Sequence, residues 1–182
     1  MRKSLVIVAH PNLDNSRVNK IWLNELTQYP DLITINDLYA NYPDFQINVM
    51  REQQLVEQHD RIIFQFPFYW YSSPPLLKKW MDDVLTYGWA FTSKGSKLRG
   101  KELALAISIG GSERDYSQSE DEMYTINELL SPFHATSNLI ETIFLEPFTL
   151  YSTDRKSDAE LQNSAKLYAN YVNMKTLEPF TV

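Results

Sequence analysis

Five short apolar runs, each followed by a stretch with helical spacing, constrain this chain more than any other feature of its sequence. Ser4-Leu5-Val6-Ile7-Val8-Ala9 is apolar throughout after its first residue, the pattern of a strand buried on both faces. His10-Pro11 ends it. Asn12-Leu13-Asp14-Asn15-Ser16 is rich in helix-capping types, and Val18, Ile21, Trp22 and Leu26 then mark one face of a helix running to about residue 28. Leu32-Ile33-Thr34-Ile35 predicts a second strand, residues 37–45 a loop, and residues 49–58 a polar helix. Arg61-Ile62-Ile63-Phe64-Gln65-Phe66 is a third strand, stopped by Pro67. Ser73-Pro74-Pro75 opens a helix with a cap residue ahead of prolines in the first turn, where a missing N–H costs nothing. Its apolar face is Leu76, Leu77, Trp80, Met81, Val84 and Leu85. Residues 102–109 form a fourth strand, ended by Gly110-Gly111; residues 119–130 predict a helix that Pro132 interrupts or restarts. Residues 141–145 are a fifth strand and residues 158–172 a last helix, with Leu161, Ala165, Tyr168 and Val172 on one face.

Strand and helix alternating in this way imply a parallel sheet wrapped by helices, and right-handed crossovers leave few ways to order it. The economical arrangement is an α/β, flavodoxin-like doubly wound five-stranded parallel sheet of order 2-1-3-4-5, with residues 1–182 as one domain. Such sheets bind ligands beyond the carboxyl ends of their strands, near the point where the strand order reverses.

Composition removes several classes of function. A formal net charge of −6 disfavours broad nucleic-acid binding, which needs a basic surface. The absence of cysteine excludes disulfides, thiolate metal sites, iron–sulfur clusters and cysteine nucleophiles, and three histidines do not make a histidine-rich metal site, so no metal is expected. No apolar run approaches the roughly 20 residues of a membrane span, and Met1-Arg2-Lys3-Ser4 leads straight into a strand without a cleavage site. The expectation is a soluble cytoplasmic protein. Aromatic residues make up 13% of the chain, against only 5 glycines, so the chain is poor in phosphate-cradling glycine loops and rich in rings that can stack on a planar ligand or fill a core and a dimer interface.

In the expected topology the loops leaving strands 1, 3 and 4 converge. The first places Ser16 at or near a helix N-terminus, where unpaired N–H groups and the helix dipole attract an anion; Ser16 and Asn19 add a hydroxyl and an amide, although a plain N-cap accounts for Ser16 equally well. His10 in the same loop is a local hydrogen-bonder or a ligand contact. The second loop runs Pro67-Phe68-Tyr69-Trp70-Tyr71-Ser72-Ser73, more ring area than a connector needs. It suits a flat wall of Phe68, Tyr69 and Trp70 against a conjugated ring, or a subunit interface. In the third, Gly110-Gly111 permits close backbone approach to a ligand or an ordinary tight turn, and Tyr116 brings a phenol. Together the loops describe a phosphate at one end and a planar ring at the other, which is the shape of flavin mononucleotide.

Val6-Ile7-Val8-Ala9-His10-Pro11, Ser16-x-x-Asn19, Pro67-x-x-Trp70-Tyr71-Ser72-x-Pro74-Pro75-Leu76-Leu77-Lys78 and Gly88-Trp89-Ala90 resemble the flavodoxin-like NAD(P)H:quinone oxidoreductases. The likeness is greatest to short bacterial members, including ancillary subunits of glutathione-gated potassium efflux systems and general stress proteins, and it covers about residues 4–150. The resemblance implies non-covalent FMN, with FAD the alternative, a homodimer with the flavin near the interface, NADPH or NADH as donor and a small-molecule quinone as acceptor. It implies that His10, Ser16, Arg17, Val18 and Asn19 surround the phosphate, that Phe68, Tyr69, Trp70 and Tyr71 hold the ring, and that Ser108, Ile109, Gly110 and Gly111 lie along its other side. Tyr116 matches a tyrosine that helps stabilise charge on the reduced flavin in the animal enzymes. Those enzymes place a histidine six residues later, where this chain has Glu122, so their charge relay does not carry over; Arg114 or a backbone N–H is the candidate replacement. The chain also lacks their C-terminal extension, which favours FMN over FAD.

Two strings mislead. Gly95-Ser96-Lys97-Leu98-Arg99-Gly100-Lys101 has the spacing of a nucleotide-binding loop, but Glu follows it and it precedes a strand instead of opening a helix. Asp82-Asp83 resembles a metal pair, but neighbours on a helix point apart. The expected function is two-electron reduction of a quinone. The rivals are a regulatory subunit attached peripherally to a membrane potassium-efflux protein, and a small electron carrier.

Overall fold

The computed structural model describes residues 2–92, 96–117, 124–175 and 177–180. Its strands are β1 (Ser4–Val8), β2 (Ile33–Asp37), β3 (Arg61–Pro67), β4 (Glu102–Ser108), β5 (Ile143–Phe144) and β6 (Phe148–Leu150). Its α-helices are α1 (Arg17–Leu26), α2 (Leu38–Asn41), α3 (Val49–Glu57), α4 (Pro75–Val84), α5 (Ile126–Leu129), α6 (Ser131–Leu139) and α7 (Asp158–Asn173). The sheet runs β2-β1-β3-β4-β5, all parallel, as the alternating pattern requires.

The expected fifth strand is broken. β5 pairs the start of β4 (Phe144 opposite Leu103) and β6 pairs its end (Phe148 opposite Ala106). Four residues of the edge therefore span three of β4, a bulge of one residue around Glu146 and Pro147. Proline has no N–H to give a ladder, so the pairing lapses there and resumes at Phe148. The resumed edge reaches the carboxyl end of β4 and carries the following loop into the site.

Several boundaries differ from the sequence expectation for local reasons. Asp37 turns the start of the predicted loop into the one-turn α2, its carboxylate accepting the N–H groups of Tyr39 and Ala40. Helix α4 has Pro74, not Ser73, as its N-cap, with no side-chain cap bond. Of the helix expected over 119–130, residues 118–123 lie outside the described residues; the remainder is α5, closed by a Thr125–Glu128 capping box, and Pro132 sits in the first turn of α6, starting that helix.

Alternation along the central strands sends side chains into two cores. On one face Leu5, Ile7, Phe64, Leu105 and Ile107 pack with Leu76, Leu77 and Trp80 of α4 and Phe133 of α6. On the other, Val6, Val8, Ile63, Ala104 and Ala106 meet α1 and α7. There the Trp22 ring sits 5.3 Å from Phe148 and 5.0 Å from Tyr168, and its indole N–H donates to Ser164 at 2.9 Å. At the amino end of the sheet Arg61 is fully buried. Its guanidinium donates to Glu102 at 2.6 Å and to the carbonyls of Val172 (2.8 Å), Tyr171 (3.3 Å) and Met174 (3.0 Å), capping α7 with a cation where its dipole is negative. No helix among the described residues is long and apolar enough to cross a membrane.

Candidate cofactor site at the carboxyl ends of the strands

Above the carboxyl ends of β1, β3 and β4 lies a cavity of about 490 Å³, within the usual range for a small-molecule site. His10, Ser16, Arg17, Val18, Asn19, Phe68, Tyr69, Ser108 and Gly110 line it, together with Asn12, Asn15, Pro67, Thr153 and Asp154. The three expected loops therefore meet, and a fourth joins them.

The end formed by α1 is rich in donors. Ser16 is the N-cap, its Oγ accepting the Asn19 N–H at 3.1 Å. That bond uses the third amide of the helix and leaves the first-turn N–H groups of Arg17 and Val18 without intrahelical partners, and both residues line the cavity. Among the described residues the Arg17 guanidinium pairs with Asp158 at 2.8 Å and the Lys156 carbonyl at 3.0 Å, which ties the start of α1 to the start of α7. The Asn19 side chain is buried and turns inward, donating to Ser108 at 2.9 Å. His10 is half-buried; burial holds its imidazole below the ordinary value against the attraction of the Asp37 carboxylate. Its Nδ1 accepts the Asn12 N–H at 3.1 Å.

The second loop divides. Phe68 continues the β3–β4 ladder, donating its N–H to the Ser108 carbonyl at 2.9 Å, and lines the cavity with Tyr69. Tyr69 and Ser72 then exchange two backbone bonds of 3.0 Å around Trp70 and Tyr71. Both of these have positive φ, 48° and 62°, at a tip that leaves Trp70 92% and Tyr71 59% exposed. Such two-residue turns favour Asn-Gly, and a bulky side chain there is strained. In the single chain Phe68 and Tyr69 line the cavity, Tyr71 meets Phe68 edge-on at 6.5 Å, and Trp70 projects from the tip.

The third loop is fixed by Gly111. A Cβ there would stand 2.9 Å from Tyr116 Cε2 and 3.1 Å from Asp115 Oδ2. Glycine is present because Tyr116 lies on the backbone, while a Ser112–Asp115 capping box closes the turn below it. The Tyr116 ring packs at 5.9 Å from both Phe68 and Tyr151. Ile109 is buried beneath the loop, and Arg114 is exposed on the same turn. Neither they, Gly111 nor Tyr116 borders the cavity itself. Glu122 lies outside the described residues.

The fourth loop follows β6. Ile109 donates to Leu150 (2.8 Å), Thr153 to Ile109 (3.2 Å) and Ser152 to Gly111 (2.8 Å), so the β4–β6 ladder continues past both strands. Ser152 takes a positive φ of 54° to make the bend. Thr153 and the Asp154 carboxylate thereby reach the cavity opposite Gly110, a carboxylate suited to accepting from ligand hydroxyls. The sequence signal for this loop was Pro147, which marks the broken edge. Gln65, a polar side chain within the apolar β3, is fully buried and donates from its amide nitrogen to the Asn19 carbonyl at 3.1 Å. No group of three or more metal-ligating acids or histidines exists among the described residues.

The chain is 54% identical over 170 residues, 93% of its length and 97% of the other's, to a Bacillus subtilis (strain 168) protein named Uncharacterized NAD(P)H oxidoreductase YrkL. It is 37% identical, over 93% of its length and 92% of the other's, to the glutathione-regulated potassium-efflux system ancillary protein KefG of Cronobacter sakazakii. The crystal structure of general stress protein 14 from Treponema denticola in complex with FMN superposes with a TM-score of 0.89 at 42% identity, covering 94% of this chain and 98% of that one. Residues 2–180 match the Flavodoxin_2 model, described as a flavodoxin-like fold, and the chain belongs to that family.

Proposed function

We propose that the protein is an FMN-dependent NAD(P)H oxidoreductase that takes two electrons from NADPH or NADH and passes them to a small-molecule quinone. The observation that carries this reading is the lining of one cavity, which brings together the first turn of α1 with its N–H donors, the Phe68 and Tyr69 rings, and the Asp154 carboxylate. That combination of groups suits a phosphate, a conjugated ring and the hydroxyls of a chain joining them. The FMN complex of general stress protein 14 and the oxidoreductase name of the 54% identical relative support the choice.

Bound there, the flavin would supply the redox chemistry, taking reducing equivalents from the nucleotide and returning them to the acceptor. The chain's own residues bind and orient. The N–H groups of Arg17 and Val18 and the dipole of α1 hold the phosphate, framed by His10, Ser16 and Asn19. Phe68 and Tyr69 hold the ring from the cavity wall, with Trp70 and Tyr71 at the exposed tip of the same loop completing the hold once a ligand and a second copy cover them. Ser108 and Gly110 line the ring's other side, with Ile109 and Gly111 in the same run of backbone setting their position. Tyr116 is the catalytic candidate, its phenol offering a proton to negative charge that develops beside it. The exposed Trp70 and Tyr71 fit a homodimer in which a second copy covers them. The reading includes a single domain and a cytoplasmic location.

Purified protein mixed anaerobically with NADPH, then NADH, tests this by its visible spectrum. A yellow protein that bleaches and recolours on adding a quinone supports the reductase. Protein that is colourless and takes up neither FMN nor FAD overturns it. The likeness to an ancillary efflux protein favours a second reading, a regulatory subunit on a membrane potassium-efflux protein with secondary reductase activity. A yellow protein inert to both nucleotides that co-purifies with such a membrane protein would select it.

A further inference from the structure

We infer that Gln65 is a positioning residue that sets which way the hydroxyl protons of the phosphate end point. This rests on the FMN reading above. Gln65 lies in the middle of β3, is fully buried, and touches no solvent or cavity surface. Its Nε2 donates to the backbone carbonyl of Asn19 at 3.1 Å and to the Asn19 side-chain oxygen at 3.3 Å.

The first of those bonds fixes the amide, because a backbone carbonyl can only accept and the Gln65 oxygen cannot face it. The second then fixes Asn19: its Oδ1 meets the donor, and its Nδ2 is turned to Ser108 Oγ at 2.9 Å and Ser16 Oγ at 3.4 Å. Ser16 Oγ also receives the Asn19 backbone N–H at 3.1 Å. Both of its lone pairs are used, so its single proton must be given elsewhere, and Ser16 borders the cavity. One buried amide thus makes Ser16 a donor toward an anion. The other end of that amide, Oε1, has no partner in the interior. An unpaired buried carbonyl is costly, and an apolar side chain at this position would avoid the cost. Retention of the amide is accounted for by the need for its donor.

Gln65→Glu keeps the shape and, once its carboxyl is ionised, removes the donor; burial favours the protonated form, which still donates, so this variant is read at the highest pH at which the protein stays folded. Asn19 then turns its nitrogen toward the new carboxylate and its oxygen toward the serines, and the Ser16 proton goes to Asn19. Gln65→Met removes donor and acceptor together at similar volume, which keeps a test available should the buried carboxylate prevent folding. Protein freed of flavin is titrated with FMN and with riboflavin, flavin fluorescence reporting binding, after a thermal melt confirms folding. Riboflavin has the ring and the hydroxyl chain but no phosphate, so the ratio of the two affinities isolates the phosphate end. In both variants the preference for FMN should fall roughly ten- to a hundredfold, the worth of a hydrogen bond to a charged group, with riboflavin affinity changed much less. Equal weakening of both ligands means that Gln65 only supports the fold, and an unchanged preference means that it has no part in phosphate binding; either result overturns the inference. A wild-type protein that binds neither ligand overturns the FMN reading itself, a distinguishable failure.

Discussion

The ring of Tyr116 rests on the backbone of Gly111 so closely that a methyl group at position 111 would stand 2.9 Å from Cε2 and 3.2 Å from the hydroxyl oxygen. Real Cβ atoms do not approach carbon at 2.9 Å, so Gly111→Ala must push the tyrosine off its seat against Phe68 and Tyr151. If Tyr116 serves the reaction from that seat, Gly111→Ala and Tyr116→Phe should each lower quinone-reductase kcat/KM by on the order of a hundredfold. Steady-state kinetics on protein with a full complement of flavin checks this. Loss in Tyr116→Phe alone would show that the hydroxyl matters and its seating does not.

Trp70 and Tyr71 are held at positive φ, each at a cost of about 1–3 kcal/mol. The double variant Trp70→Asn, Tyr71→Gly installs the dipeptide such a turn prefers. It should stabilise the flavin-free monomer by about 1–2 kcal/mol, a rise of several degrees in Tm, while weakening flavin binding and self-association. Melting curves and size-exclusion chromatography over a concentration range read the two effects separately. A destabilised variant would mean that the rings contribute more to the single chain than their exposure suggests.

The strand order and the convergence of three loops were legible because they depend on runs of apolar residues and on right-handed crossovers, both visible in a linear sequence. The fourth loop was not, because Thr153 and Asp154 reach the cavity through a one-residue bulge at Glu146-Pro147, and register against β4 is a property of the pair of strands. Gly110-Gly111 had the right location but a different cause at its second residue: Gly111 makes room for Tyr116, a contact within the loop. Trp70 was expected on a flat wall beside Phe68 and Tyr69; its exposure at the tip of a two-residue turn in the single chain was not legible, because turn type depends on dihedral angles that aromatic residues do not announce. Ser16 is the N-cap that the sequence suggested, and that role leaves room for the proposed phosphate contact, since an N-cap oxygen accepts while its proton remains to donate.

Arg61 joins the amino end of β3 to the last turn of α7 through three carbonyls and Glu102. Arg61→Met leaves Glu102 with Arg2 alone and leaves the carbonyls of Tyr171, Val172 and Met174 without these donors. Breaking a buried pair on one side costs about 3–5 kcal/mol, so urea unfolding should show a loss of that order with an unchanged dependence on denaturant. The double variant Arg61→Met, Glu102→Leu should recover part of it. An Arg61→Met protein as stable as the parent would show that α7 is held by its apolar face alone.

Glu160 closes the capping box at the start of α7, its carboxylate accepting the Ser157 N–H at 2.9 Å and hydroxyl at 2.8 Å, with Lys156 at 3.3 Å. These bonds, the backbone one first, bring its pKa from the ordinary 4.5 to about 2. A carboxylate whose folded value lies below its unfolded value adds stability that is complete above 4.5 and is lost as pH falls toward about 2, because the unfolded chain takes up the proton first. Glu160→Gln cannot titrate. The stability difference between the parent and this variant should therefore be constant above pH 4.5 and shrink through the window down to about 2. Ser157→Ala, which removes one of the two serine donors, should shift Glu160 part of the way back and narrow that window. Chemical denaturation at a series of pH values measures both. A parent–variant difference that stays flat across the window would mean that the cap forms no stronger with the charged carboxylate than with the neutral one.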